Sequence, residues 1–202
     1  MKPMGPIPPD FADQQGILQI AGKSVEEWIE IAGDTPLFVY DPGIVAARVG
    51  RLRAALPVAV AIHYAVKANP ALIAAVAPLV DGLDIASAGE LAMVQAAAAG
   101  TPVSFAGPGK RDDELRAAIE AGVTINLESV GEGARALAIA DRLGTRPRLA
   151  VRVNPDVELR GSGMKMGGRA SPFGVEPGEV PALAQTIIDH GAEWRGFHIF
   201  AG

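Results

Sequence analysis

The sequence alternates short apolar runs with segments of helical periodicity, and this alternation constrains the fold more than any other feature. From Val58 onward, six apolar runs recur roughly every 20 to 25 residues, except where residues 155–176 precede the last one. Strands that alternate with helices form parallel α/β sheets, which either stay open or close into a barrel. The predicted strands are 58–67, 82–86, 103–106, 123–127, 148–154 and 194–200, and the predicted helices are 70–79, 88–99, 111–121, 129–143 and 177–190.

Polar residues stand at the carboxyl end of every predicted strand, and their positions favour the barrel. Active sites of (β/α)8 barrels are built at the C-terminal ends of the strands, so polar groups at six successive ends predict one converging pocket. A complete barrel has eight strands, and we therefore predict an α/β TIM-type barrel truncated after its sixth strand. The strand-end residues are Lys67, Asp84, Ser104, Asn126, Glu128, Arg152, Asn154 and His198.

The N-terminal segment forms a separate unit in this interpretation. Ser24 can cap a helix whose capping-box position is filled by Glu27. We place the domain boundary between residues 1–36 and the partial barrel of residues 37–202. The predicted elements are strand Ile17–Ile20, helix 24–31, strand 37–40 and helix 42–56.

Lys67 ends the first strand of the predicted barrel and is the first candidate catalytic residue. In a strand over 58–67, alternation sends the bulky side chains to one face, and it sends His63, Ala65 and Lys67 to the other. A strand that is covered on both sides leaves such an amine with little water around it. A desolvated lysine loses proton affinity and becomes a nucleophile. The alternative is a lysine whose amine extends into solvent at the strand end.

Composition and spacing exclude several classes of protein. The 202 residues are 49% hydrophobic and carry a net charge of -5, which predicts a globular protein with a sizeable core and argues against nucleic-acid binding. Cysteine is absent, which excludes disulfides and fits a reducing compartment. No apolar stretch approaches the length of a membrane span, and the three histidines lack zinc-type spacing. We therefore expect a cytoplasmic protein with no bound metal, no nucleic-acid partner and no membrane contact.

A glycine-rich segment, Gly161-Ser-Gly-Met-Lys-Met-Gly-Gly168, is a further candidate binding element. It matches neither the dinucleotide fingerprint nor the Walker pattern, because it lies several residues past a strand and opens no immediate helix. We interpret it as a mobile substrate loop. A surface insertion without a ligand is the alternative.

Six spaced motifs carry a resemblance to a known family. They are Tyr64-Ala-Val-Lys-Ala-Asn-Pro70, Leu83-Asp-Ile-Ala-Ser-Ala-Gly-Glu90, Phe105-Ala-Gly-Pro-Gly-Lys110, Asn126-Leu-Glu-Ser129, Val151-Arg-Val-Asn-Pro155 and Gly196-Phe-His-Ile-Phe-Ala-Gly202. Together they resemble the fold-type III pyridoxal-phosphate-dependent decarboxylases, the relatives of diaminopimelate and ornithine decarboxylase. The third motif and the glycine-rich segment are most similar to the subgroup associated with exosortase A systems. The resemblance implies an alanine racemase-like barrel, with residues 1–36 contributing to a second β-domain.

The resemblance also implies pyridoxal 5'-phosphate as the cofactor, with residue roles carried over by matching position. Lys67 matches the lysine that forms a Schiff base with the cofactor, which agrees with the strand-end argument. Asp84 and Glu90 match acidic residues around the active site, and Arg152 matches an arginine near the cofactor ring. The cofactor would act as an electron sink when the substrate carboxylate leaves.

The last predicted strand departs from the family pattern. In the commoner pattern, His-x-His-Ile/Val-Gly-Ser, the second histidine stacks on the cofactor ring. Here Phe200 occupies that place, and His198 aligns with the first histidine. A phenyl face can pack against the ring, but it cannot donate a hydrogen bond or a proton. Phe200 stands at the family's stacking position, and whether Phe200 or His198 stacks on the cofactor stays open.

The resemblance leaves the substrate and several functions open. The preferred function is a decarboxylase, a carboxy-lyase that acts on an amino acid or a carrier-bound amino-acid derivative as a homodimer. The alternatives are an amino-acid racemase of the same fold type, a non-catalytic barrel that carries the cofactor, and a binding protein that has lost its site. The family's phosphate loop would lie beyond Gly202, so we expect the 202 residues alone to be inactive.

Overall fold

The computed structural model describes residues 10–67, 69–155 and 171–200. The chain divides into two units, Met1–Val60 and Ala61–Gly202. The assignment of residues 1–36 to a second β-domain stays a prediction. Within the described ranges, no helix combines the length and the apolar character that a membrane span requires.

The first unit contains a small antiparallel sheet followed by two helices. Helix α1 begins as predicted, because the Ser24 hydroxyl accepts a hydrogen bond from the Glu27 amide while the Glu27 carboxylate accepts one from the Ser24 amide. The Trp28 indole donates to the carbonyl oxygen of Ile20 at 2.8 Å, which ties α1 to β2. The elements are β1 (Ala12–Gln14), β2 (Ile17–Ile20), β3 (Lys23–Ser24), α1 (Val25–Ala32) and α2 (Pro42–Ala55).

The predicted strand at 37–40 is wrong. These residues have no regular secondary structure, and Phe38 is 80% exposed. The apolar run was misleading because a strand also needs a hydrogen-bonded neighbour, and among the described residues the small sheet contains β1, β2 and β3 alone. The helix that follows is confirmed: Asp41 accepts a hydrogen bond from the Gly43 amide at its start.

The second unit is a six-stranded parallel sheet whose strands lie next to each other in chain order, as the alternation predicted. Every strand except the last is followed by a helical segment. All the predicted helices are present, although they begin or end at slightly different residues from those predicted. The strands are β4 (His63–Ala65), β5 (Gly82–Ile85), β6 (Val103–Phe105), β7 (Thr124–Leu127), β8 (Arg148–Arg152) and β9 (Glu193–His198). The helices are α3 (Ile73–Val76), which has a 3-10 turn on each side, α4 (Ala88–Ala97), α5 (Asp112–Glu120), α6 (Val130–Leu143) and α7 (Val180–Asp189).

The hydrophobic core lies between the sheet and its helices. Alternate residues of the strands are fully buried and pack with apolar residues of α4 to α7. Alternation along each strand sends the residues between them to the opposite face of the sheet. That opposite face is polar, which differs from the filled apolar interior of an ordinary barrel. The strand residues that belong to this core are Leu83, Ile85, Phe105, Ile125, Leu127, Leu149 and Val151.

Strand β4 is shorter than the predicted strand over 58–67. The chain turns at Val60, whose amide donates to the carbonyl oxygen of Pro57, and Val58 is fully exposed. The predicted alternation holds only from His63 to Val66, where Val66 is 1% exposed and belongs to the core. Among the described residues, β4 pairs with β5 alone.

Candidate active site

Side chains of neighbouring strands lie in register on the polar face of the sheet. Strand register pairs Ala65 with Asp84 and Asp84 with Ser104, so these three side chains form a row across β4, β5 and β6. Near the carboxyl end, the Asn126 side-chain amide donates to the Ser104 hydroxyl at 2.7 Å. Polar side chains at neighbouring strand ends therefore contact each other, and a single pocket shared by all six strand ends stays a prediction.

Lys67 lies two residues beyond the end of β4. Its side chain is exposed, and its backbone has a φ of 49°. A non-glycine residue in this left-handed region is under backbone strain, which is often found at functional sites. The sheltered amine that we expected from alternation is not observed, because β4 ends at Ala65 and the chain turns at Lys67.

Asp84 contacts His63, a residue that we did not assign a role. The His63 Nδ1 lies 2.9 Å from the Asp84 Oδ1, and this hydrogen bond, together with the negative charges of Asp84 and Asp81, raises the pKa of His63 despite its partial burial. The His63 ring also lies directly over Gly82. A Cβ atom at Gly82 would be 2.5 Å from the ring, so only glycine leaves room for it.

The His63–Asp84 pair predicts a dependence of stability on pH. Because the folded state binds the His63 proton more tightly than the ordinary value of 6.5, the pair stabilises the fold fully below that pH and loses its effect as pH rises through the raised pKa. Both side chains are partly exposed, so we expect at most about 1 kcal/mol. The free energy of unfolding in urea, compared between the wild type and His63→Gln, should differ more in acid than in base. An equal difference at both pH values would contradict the prediction.

Glu90 supports the turn between β5 and α4. Its carboxylate accepts a hydrogen bond from the Ala86 amide at 2.7 Å, and its own amide donates to the Ser87 hydroxyl, which caps α4. The acidic residue that the motif predicted is thus at the strand end beside Asp84. Its observed contacts are with the backbone of its own turn.

Arg152 forms a buried ion pair with Glu128 at the ends of β8 and β7. The Arg152 Nη1 lies 3.0 Å and 3.3 Å from the two carboxylate oxygens of Glu128, and the two residues are 7% and 4% exposed. The guanidinium carbon lies 5.0 Å from the centroid of the Phe173 ring and 5.9 Å from that of the Phe200 ring, within the range of cation–π contacts. One carboxylate and two rings therefore fix Arg152.

His198 pairs with Arg152 in the register of β9 and β8 and completes this cluster. Its Nδ1 is buried and has no hydrogen-bond partner among the described residues. Burial lowers the pKa of His198, and the positive charge of Arg152 lowers it further, so the ring is neutral at neutral pH. The structure thus brings Arg152, His198 and Phe200 together, whereas Lys67 and Glu90 lie at the ends of β4 and β5.

A second buried ion pair, Lys110–Glu132, was missed at the level of sequence. The Lys110 Nζ donates to the Glu132 Oε1 at 2.7 Å and to the carbonyl oxygens of Gly107 and Asn126, both at 2.8 Å. Burial raises the pKa of Glu132, and the Lys110 charge opposes that rise. The signal was a lysine that ends the Phe-Ala-Gly-Pro-Gly-Lys motif, followed by a glutamate in the first turn of a later helix. The predicted substrate loop, 161–168, lies outside the described residues.

The family described as "Pyridoxal-dependent decarboxylase, pyridoxal binding domain" matches residues 43–202. Diaminopimelate decarboxylase of Aquifex aeolicus is 39% identical over 170 residues, which are 81% of this chain and 40% of that protein. L-glutamyl-(BtrI acyl-carrier protein) decarboxylase of Niallia circulans is 30% identical over 176 residues, which are 84% of this chain and 41% of that protein.

Solved structures agree with the family match. A crystal structure of an Aquifex aeolicus protein has a TM-score of 0.78 and 32% identity, and the match covers 96% of this chain and 46% of that one. Diaminopimelate decarboxylase of M. jannaschii with L-lysine has a TM-score of 0.80 at 23% identity over 96% of this chain and 48% of that one, which supports the fold. The chain spans about half the length of these proteins or less. The predicted barrel class is confirmed, and the chain belongs to the family of pyridoxal-dependent decarboxylases, of which it contains the pyridoxal binding domain.

Proposed function

We propose that this chain provides the cofactor-binding half of a pyridoxal-phosphate-dependent decarboxylase whose covalent attachment point is Lys67. The observation that carries the proposal is an exposed primary amine, on a strained turn at the carboxyl end of a parallel strand, within a family-matched motif. The preferred substrate is an amino acid or a carrier-bound amino-acid derivative, because relatives of both kinds are similar to this chain.

The residues at the strand ends fit an anionic aromatic cofactor. The strand ends offer the Lys67 amine beyond β4, the guanidinium of Arg152 beside two phenyl rings, and the buried His198 Nδ1 with no partner among the described residues. An aromatic ring can pack on the face of Phe200, which is 38% exposed. These residues supply covalent attachment, a stacking surface and hydrogen-bonding groups.

Each residue has a distinct role in this proposal. Pyridoxal phosphate, when bound, supplies an electron sink for the bonding electrons that remain when the substrate loses carbon dioxide. Lys67 would hold the cofactor covalently through its side-chain amine. Asp84 and Glu90 place negative charge at the end of β5, and Arg152 provides a fixed planar donor. His198 enters as a neutral ring, since its pKa is lowered by burial, and Phe200 packs against the cofactor ring.

The domain division, the assembly and the location are also part of the proposal. We assign residues 1–36 to a β-domain and residues 37–202 to the barrel, and we expect a homodimer in the cytoplasm. The most specific part of the proposal is that the chain belongs to the decarboxylase subgroup associated with exosortase A systems. This part rests on two sequence motifs.

Reductive labelling tests the proposal directly. The purified full-length protein that contains these residues is incubated with pyridoxal phosphate, reduced with borohydride and mapped by peptide mass spectrometry. We expect the label on Lys67, whose amine is exposed, and not on Lys110, whose Nζ is held by three acceptors. Lys110 thus serves as an internal control. A label on another lysine, or no label, would overturn the proposal.

Turnover then separates the decarboxylase from its alternatives. Candidate amino acids are supplied to protein that attaches the cofactor in the labelling experiment. Carbon dioxide release and epimerisation of the substrate are both measured. Carbon dioxide release supports the decarboxylase. Epimerisation alone would indicate a racemase, and cofactor attachment without either reaction would indicate a carrier barrel.

A further inference from the structure

Glu128 connects three separate segments at the carboxyl end of the sheet. Its Oε1 accepts a hydrogen bond from the Gly107 amide at 2.6 Å, and its Oε2 accepts one from the Gly174 amide at 2.8 Å. The Arg152 Nη1 donates to both oxygens. A single buried carboxylate therefore ties the chain after β6 and the chain beyond β8 to one arginine.

Other contacts also fix the backbone at Gly107 and Gly174. Gly174 has a φ of +86°, and a Cβ atom there would lie 2.8 Å from the Asn154 amide nitrogen, so the chain lies directly against the end of β8. The carbonyl oxygen of Gly107 accepts a hydrogen bond from the buried Lys110 Nζ, which is itself paired with Glu132. Glu128 is consequently fixed in place by groups that do not include Arg152.

A guanidinium held by such a carboxylate is prepared for a ligand. It has lost its side-chain freedom before the ligand arrives, so binding does not bear that entropic cost. The Glu128 carboxylate balances the positive charge of Arg152. The guanidinium therefore offers a ligand directed hydrogen-bond donors and a planar surface instead of a net positive charge. Burying an unpaired guanidinium would otherwise cost several kcal/mol.

We propose that Glu128 is a positioning residue, which holds Arg152 for the bound cofactor and acts through Arg152 alone. This inference rests on the proposed function. Glu128 does not contact the reacting atoms in this proposal, and Lys110 supports it from behind through Gly107. The sequence placed Glu128 at a strand end without a role of its own, and it did not predict Lys110 as a site residue.

The test is a double-mutant cycle on the affinity of the full chain for pyridoxal phosphate, measured by absorbance titration. The variants are Glu128→Gln, Arg152→Met and the double variant. We expect each single substitution to raise the dissociation constant about tenfold, which is a typical loss for a charge-assisted hydrogen bond. The double variant should bind no more weakly than Arg152→Met, because the second substitution then has nothing left to remove.

A matched control substitutes another carboxylate that is paired with arginine. Glu193 pairs with Arg148 and Arg195 at the opposite end of β8 and β9, so Glu193→Gln should leave the dissociation constant unchanged. If Glu128→Gln does not fold, the double variant should still fold, since it contains no unpaired buried arginine. The dissociation constant of the double variant is then compared with that of Arg152→Met. A further loss of affinity in the double variant would show that Glu128 acts by a route other than Arg152.

A second readout requires no cofactor. The charges of Glu128 and Asp84 raise the pKa of His198, while those of Arg152 and Lys110 lower it. Glu128→Gln should therefore lower the His198 pKa measured by NMR titration, which checks that the Glu128 charge acts on this site. Additive losses in the cycle, or unchanged affinity in Glu128→Gln, would overturn the inference while Lys67 labelling still supported the proposed function. A wild type that does not bind the cofactor would overturn both.

Discussion

Replacing Lys67 with alanine is expected to abolish cofactor attachment and to lower carbon dioxide release by on the order of 10³-fold or more, because the covalent nucleophile is lost. The side chain is exposed, so the free energy of unfolding should change by no more than about 0.5 kcal/mol. Activity is measured as carbon dioxide release, and stability is measured by urea unfolding of the same preparations.

Two further variants define what the Lys67 experiment measures. Lys67→Arg keeps the positive charge but cannot form a Schiff base, so it should be as inactive as Lys67→Ala. Lys23→Ala removes an exposed lysine of β3 and should keep wild-type activity. Residual activity of Lys67→Ala within tenfold of the wild type would show that the attachment point lies elsewhere.

Replacing Lys110 with methionine is expected to destabilise the protein by about 3–5 kcal/mol, because it leaves the Glu132 carboxylate buried without its partner. Both side chains are 2% exposed, so solvent cannot replace the lost contact. A loss of this size is a large fraction of the stability of an ordinary domain. The free energy of unfolding is measured in urea, with the slope of the transition checked for a constant value.

The double variant Lys110→Met with Glu132→Leu is the control for that result. It removes both charges, and apolar replacement of a buried pair is often close to neutral. We therefore expect it to be more stable than Lys110→Met alone. If Lys110→Met costs less than about 1 kcal/mol, the ion pair does not hold the chain after β6.

Much of the barrel could be predicted because its information is local. Strands β5, β6 and β7 are apolar runs with breaks on both sides, and each was predicted to within two residues at either end. The convergence of polar residues was also predictable, since parallel strands bring all their carboxyl ends to one edge of a sheet.

The errors arise where neighbours in space decide the structure. Residues 58–61 and 37–40 have strand-like composition, but they have no strand beside them among the described residues. Whether an apolar run becomes a strand depends on a partner that local sequence does not identify. Lys67 is exposed because β4 ends at Ala65 and the chain turns at Lys67.

The buried polar network could be predicted only in part. Glu128 and Arg152 were both placed at strand ends, but their pairing across 24 positions of sequence is a tertiary contact. Lys110 and Glu132 are 22 positions apart, and nothing in either local segment indicates that both are buried. The sequence supports a set of candidate residues, whereas their partners depend on how the loops after β6, β7 and β8 pack.

The ring of His63 lies in the space that glycine leaves at position 82. A residue with a Cβ at 82 would force the imidazole away from Asp84, whereas glycine at 82 accepts residues other than histidine at 63. The constraint therefore runs in one direction: the His63–Asp84 contact depends on Gly82, but Gly82 does not depend on the histidine.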